Sequence, residues 1–102
     1  NKGSFMIVIK QTDVFEKWFK KLKNFELKNI IIDRMSRVKL GNFGDFKNLK
    51  GNLFELRFNI QAGVRIYFTK RNGEIVLLLN AGDKSSQSED IKKARQLMDL
   101  YD

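Results

Sequence analysis

The dipeptide Asn72-Gly73 joins the alternating run Val64-Arg65-Ile66-Tyr67-Phe68-Thr69 to the apolar run Ile75-Val76-Leu77-Leu78-Leu79. A two-residue type I′ turn needs positive φ at both central positions, and Asn-Gly meets that need at least cost, so the stretch predicts a β-hairpin. Pairing outward from the turn sets Arg71 opposite Glu74, Tyr67 opposite Leu78 and Arg65 opposite Asn80. Side chains alternate between faces along a strand. Val64, Ile66 and Phe68 should therefore share a face with Ile75, Leu77 and Leu79, with Arg65, Tyr67 and Thr69 on the other. The preceding strand alternates in the same way, with Phe54, Leu56, Phe58 and Ile60 interleaved by Glu55, Arg57 and Asn59. One sheet face then becomes core, and Arg57, Arg65 and Tyr67 gather on the other, near Lys84 as the chain leaves the last strand.

Upstream of the sheet the apolar spacing is helical. Thr12 or Asp13 can cap a first helix, with Glu16 placed as in a capping box and Phe15, Trp18, Phe19 and Leu22 on one stripe. Trp18 belongs to that stripe and reads as core rather than as a stacking platform for a base. A second helix is expected from Glu26 to Lys39, with Leu27, Ile30, Ile31, Met35 and Val38 inward and Arg34 and Arg37 toward solvent. The short break near Asn24 makes the two a helical hairpin. Met6 to Lys10 suits a first strand. A loop carrying Lys47 and Lys50 leads into the sheet, and Ser88 with Glu89 and Asp90 signals a last helix that turns Ile91, Ala94, Leu97 or Met98, and Tyr101 inward.

A chain of 102 residues without repeats or linkers is one domain, expected over residues 6–102; Asn1 to Phe5 reads as a cloning scar ahead of Met6. Neither cysteine nor histidine occurs. Thiolate chemistry, cysteine-ligated zinc and the commonest general base are thus excluded, leaving Arg, Lys, Tyr and carboxylates for any catalysis. No apolar run is long enough to span a membrane, so the expected place is the cytoplasm, with no membrane partner. The formal charge of +8 favours a polyanionic partner. Its distribution is uneven: up to Asn52 there are 12 Lys and Arg against 5 Asp and Glu, and from Leu53 onward 8 against 7. The helical half carries the excess, which leaves the sheet face free for something more selective.

The run Leu40-Gly41-Asn42-Phe43-Gly44-Asp45, then Phe54-Glu55-Leu56-Arg57, Gly63-Val64-Arg65-Ile66-Tyr67-Phe68, Leu78-Leu79-Asn80-Ala81-Gly82-Asp83-Lys84-Ser85-Ser86-Gln87, and Asp90-Ile91 with Ala94, resembles the addiction-module killer proteins. These are the HigB-type toxins of the RelE/ParE superfamily. The resemblance implies a RelE-like α+β fold, similar to microbial ribonucleases: a twisted, mainly antiparallel sheet, an N-terminal helical hairpin on one face and a short C-terminal helix. It implies the toxin of a toxin–antitoxin pair, with a cognate antitoxin of helix-turn-helix type as partner. RelE-like members cut messenger RNA, often on the ribosome, whereas ParE-like members share the fold and act on DNA gyrase. The cut needs no metal or other cofactor: the 2′-hydroxyl attacks the neighbouring phosphorus. Cations must then stabilise the charged transition state while another group moves protons.

Carried onto this chain, Arg65 matches the family's transition-state arginine, Arg57 the arginine of the preceding strand, and Lys84 a basic residue after the last strand. Lys47, Lys50 and Gln87 are candidates for touching RNA. The chain departs from the pattern in having Glu55 where relatives carry lysine, Val64 before Arg65 in place of tyrosine, and no tyrosine from Ser85 to Asp90. Glu55, Tyr67 and Lys84 therefore all stand as candidate bases. Glu55 is equally an ion-pair partner for Arg57 or Arg65. Because Arg65 points away from the apolar set, its truncation is expected to spare the fold.

Overall fold

The structure, a computed structural model, describes residues 6–101, so the scar expected at Asn1 to Phe5 lies outside the described residues. Strand β1 (Val8–Gln11) leads into helices α1 (Asp13–Lys21) and α2 (Phe25–Val38), followed by strands β2 (Phe46–Asn48), β3 (Leu53–Arg57), β4 (Arg65–Arg71) and β5 (Ile75–Gly82). A 3₁₀ turn at Lys84–Ser86 then opens helix α3 (Gln87–Leu100). The strands form one sheet in the order β1-β5-β4-β3-β2, antiparallel except for the β1–β5 pair. This is the expected α+β class.

Local chemistry sets the helix ends. The Thr12 hydroxyl accepts from Phe15 N–H at 3.1 Å and donates to Leu79 O at 2.5 Å, capping α1 while tying its start to β5. The cap is thus Thr12 rather than Asp13, and the capping box with Glu16 does not form. Asn24 caps α2 through Leu27 N–H. The apolar stripes of both helices meet one sheet face, where Phe15, Leu27, Ile31 and Val38 pack with Leu56, Val64, Ile66, Phe68, Val76 and Leu78. Each such side chain contributes about 1.5–3 kcal/mol by leaving water. Beside this core Phe68 stacks between Phe43 and Phe54, with ring centroids 5.4 and 5.2 Å away.

The hairpin forms at the predicted dipeptide, but its register differs. Asn72 and Gly73 take φ of 54° and 70°, and Glu74 stays in the turn, donating its N–H to Arg71 O, so that Arg71 pairs with Ile75. A bulge between Tyr67 and Phe68 then adds a further residue on β5. Tyr67 consequently faces Asn80 rather than Leu78, and Arg65 faces Gly82 rather than Asn80. A one-residue slip exchanges faces. Leu77 and Leu79 therefore lie not with Phe68 but with Leu53 and Tyr67, against Ala94 and Leu97 of α3. The face that gathers Arg57, Arg65 and Tyr67, expected to lie opposite the core, is itself half core.

Four smaller expectations change as well. Residues 46–48, read as loop, form β2 on the edge of β3. The last helix starts before Ser88, on a 3₁₀ turn whose Asp83 side chain accepts from Ser85 N–H at 2.8 Å. Tyr101 is exposed at the α3 terminus. Arg34 is not a solvated residue: it donates to Phe43 O, Asp45 O and Arg57 O while its guanidinium lies 4.3 Å over the Phe58 ring, pinning the Gly41-Asp45 turn to β3. Burial lowers its pKa from the usual arginine range, with Arg37 adding to the effect.

Candidate active site

Residues directly opposite in a sheet share a face. Across the face that carries α3, one row therefore reads Arg57, Arg65 and Gly82, and the next Lys47, Glu55, Tyr67 and Asn80. Glu55 is at the centre and fully buried. Its Oε1 accepts from Arg57 Nε at 3.2 Å and lies 4.0 Å from Arg65 Nε, within ion-pair reach but beyond a hydrogen bond. Its Oε2 accepts from Gln87 Nε2 at 2.6 Å, so the first residue of α3 closes the carboxylate from above.

The two arginines differ in access. The Arg57 side chain is 35% exposed and that of Arg65 only 8%. Arg65 Nη1 donates to Gly63 O at 3.3 Å and Val64 O at 3.2 Å, which turns the guanidinium back over its own strand entry. Nη2 of Arg65 and both terminal nitrogens of Arg57 make no hydrogen bond among the described residues. Arg65 is buried beside a buried carboxylate rather than on an open face, so its truncation is expected to cost stability, since a charge that loses its partner inside a protein is destabilising.

Gly63 brings Lys84 to this corner. It holds φ of +80°, and a Cβ there would stand 2.7 Å from Lys84 Cδ and 3.6 Å from Arg65 Nη1. The lysine stem thus crosses the bare glycine backbone beside the arginine, while Lys84 N–H donates to Ala62 O at 3.3 Å. Lys84 itself is exposed. At Gly82 a Cβ would collide with the Asp90 carboxylate, which accepts from Ser86 Oγ at 2.5 Å. The missing side chain lets the start of α3 settle onto the sheet, where Asn80 Nδ2 donates to Asp90 O at 2.9 Å.

Beneath α3, the Tyr67 hydroxyl, Asn80 Oδ1 and Arg65 Nε are buried without a hydrogen-bond partner. The Tyr67 hydroxyl lies in the field of Glu55 without a well-formed bond to it. Its pKa is raised above the usual tyrosine value, first by burial, then by the Glu55 and Asp90 charges, against the opposing pull of Arg65.

Of the residues singled out from the sequence, Glu55, Arg57, Arg65, Tyr67, Lys84, Lys47 and Gln87 come together here. Lys50 does not: it stands at the β2–β3 turn beyond Leu53, about 13 Å along the strand from Arg57, where its carbonyl accepts from Arg95. Among the three candidate bases only Lys84 reaches solvent; Glu55 and Tyr67 are enclosed. Asn80, Gly82, Ser86 and Asp90 join the site without having been singled out for it. The spacing of two between Asn80 and Gly82, which puts both on one strand face, was the available signal. Among the described residues no group of three or more His, Cys, Asp or Glu is placed to hold a metal ion.

Residues 12–99 match the family described as phage derived protein Gp49-like (DUF891). An uncharacterized protein of Haemophilus influenzae is 46% identical over 91 residues, 89% of this chain and 92% of its own length. Among solved structures, a double mutant of the E. coli toxin RelE in the free state superposes with a TM-score of 0.72 at 12% identity, over 90% of this chain and 97% of RelE. A chain of the intact E. coli RelBE toxin–antitoxin complex also superposes, with a TM-score of 0.53 at 13% identity over 76% of this chain and 95% of that one. The fold is RelE-like.

Proposed function

The chain belongs to the phage-derived Gp49-like family, and from that premise we propose that it is the toxin of a toxin–antitoxin pair, a HigB-type endoribonuclease that cuts messenger RNA on the ribosome. The observation that carries the reading is the corner where Arg57 and Arg65 face each other and Lys84 crosses Gly63 beside them. Two guanidinium groups and the stem of an exposed lysine gather at one edge of the sheet, cations of the kind that stabilise a phosphodiester under attack. In the proposed reaction the RNA 2′-hydroxyl oxygen bonds to the adjacent phosphorus as the bond to the 5′-oxygen breaks. Arg65 and Arg57 hold the non-bridging oxygens. Lys84, the exposed proton-moving group, hands a proton to the leaving 5′-oxygen, while the 2′-hydroxyl proton passes to solvent. Lys47, exposed across the strand from Glu55, would bind a neighbouring phosphate in this reading.

An antitoxin partner follows from the same reading. The lysine- and arginine-rich helical half supports an acidic partner, and one of the superposed chains comes from a toxin–antitoxin complex. A cytoplasmic setting is part of the proposal.

One observation favours a second reading, a ParE-like toxin that binds gyrase without catalysis. Glu55 and Tyr67 are both enclosed, which leaves a single accessible group to move protons. Induced expression followed by parallel measurement of transcript integrity and DNA supercoiling separates the two. The ribonuclease reading expects loss of intact messenger RNA with gyrase activity retained; intact transcripts with inhibited supercoiling would overturn it in favour of the second.

A further inference from the structure

We infer that Glu55 is a positioning residue that aims Arg57 and Arg65 at a single phosphate, and that Gln87 positions Glu55 in turn; the inference rests on the ribonuclease reading. Like charges directly opposite in a sheet repel, so the Arg57–Arg65 pair needs a counter-charge. Glu55 supplies it from the next row through one oxygen shared between the two Nε atoms, at 3.2 and 4.0 Å. Engagement through Nε leaves both terminal nitrogens of Arg57 and Nη2 of Arg65 for a ligand. The other Glu55 oxygen is taken by Gln87 at 2.6 Å. Gln87 is itself fixed because α3 is seated by Ala94 and Leu97 in the core and by the Asn80 bond to Asp90 O. Enclosed on all sides, with a donor on each oxygen, Glu55 is out of reach of any 2′-hydroxyl. It acts through the arginines, not on the substrate.

The test uses the full chain labelled with ¹⁵N, read by the arginine Nε–H resonances, together with cleavage of messenger RNA bound to ribosomes. Gln87→Ala removes the anchor without changing any charge. It should stay folded, shift the Arg57 and Arg65 Nε–H signals, and lower kcat by up to about 10²-fold with KM and the shape of the pH profile unchanged, as misplacement of a positioned group does. Glu55→Gln should lower kcat without raising KM, since it adds net positive charge. Unmoved arginine resonances in Gln87→Ala would overturn the inference, as would an acid limb of the pH profile that vanishes in Glu55→Gln, the mark of a general base. If Glu55→Gln does not fold, Gln87→Ala carries the test alone. A parent chain that cuts no RNA defeats the ribonuclease reading separately, and the resonances still decide whether Glu55 and Gln87 hold the arginines.

Discussion

Arg57 and Arg65 stand directly opposite each other on β3 and β4, and the Glu55 carboxylate beside them bonds one at 3.2 Å while lying 4.0 Å from the other. A single buried anion thus serves two cations of unequal exposure. That inequality sets what each substitution should do.

Arg65→Ala removes two hydrogen bonds to backbone carbonyls and half of the counter-charge of Glu55. It should cost about 1–3 kcal/mol of stability, the range for a buried polar group left unsatisfied, because Glu55 keeps Arg57 and Gln87 as partners. In the ribonuclease reading it also lowers cleavage about 10²-fold or more. Arg65→Lys keeps the charge but loses the planar fork, and should retain partial activity. Denaturant unfolding and RNA cleavage on the same preparations check both effects; a folded Arg65→Ala protein that cuts at the parental rate removes Arg65 from the site.

Lys84 and Gly63 form a paired prediction. Lys84→Ala changes an exposed residue and should leave stability within about 0.5 kcal/mol while lowering cleavage. Gly63→Ala forces a side chain into φ of +80° and into the path of the lysine stem. It should lower cleavage as well, with a stability loss of about 1 kcal/mol or more. Equal melting temperatures for parent and Gly63→Ala would show that the glycine is not holding this corner open.

Tyr67 carries a pH prediction. Its raised pKa means the folded protein holds the phenolic proton more tightly than the unfolded chain, which ionises near 10.0. The associated stability is complete below that pH and is lost as pH rises toward the folded value. Unfolding midpoints of the parent should therefore fall more steeply above pH 10 than those of Tyr67→Phe. Parallel slopes would mean that the hydroxyl is not held in the enclosed environment described here.

The proposed antitoxin gives a fourth prediction. If the basic helical half steers association, the on-rate falls as salt rises, because exposed charges are screened beyond about 8 Å at physiological ionic strength. Stopped-flow association across a salt series measures it. A rate that stays flat would place the contact away from the lysine-rich half.

Much of this architecture is legible in the sequence. The alternation of Phe54, Leu56 and Phe58 with Glu55 and Arg57 put the first three against the helices and the other two on the opposite face, and the stripe through Leu27, Ile31 and Val38 placed α2. What escaped was the pairing of β5. Asn-Gly signals a turn but does not say whether Glu74 joins it, and nothing in Leu77-Leu78-Leu79 marks where a bulge inserts, since every residue there is apolar. The run is apolar because both of its faces are covered, one by α1 and α2 and the other by α3. Arg34 escaped for another reason. Helical spacing put it off the stripe, yet a long side chain can return over a ring, and its partners are mostly carbonyls, which carry no sequence identity.

The parallel placement of β1 beside β5 has a consequence for how the chain reaches its native state. Val8 and Ile75 are partners, and the Thr12 bond to Leu79 O spans 67 residues. During synthesis the helices emerge long before the strand that completes the sheet beneath them, so their apolar stripes have no sheet to cover until the β4–β5 hairpin is made. The hairpin closes over a three-residue turn and pairs locally; β1 must wait for a large loop to close, and its docking is the late, slow event. Pulsed hydrogen exchange during refolding should protect the amides of Ile66 and Phe68 before that of Lys10. Simultaneous protection would mean that the crossover is closed already in the folding nucleus.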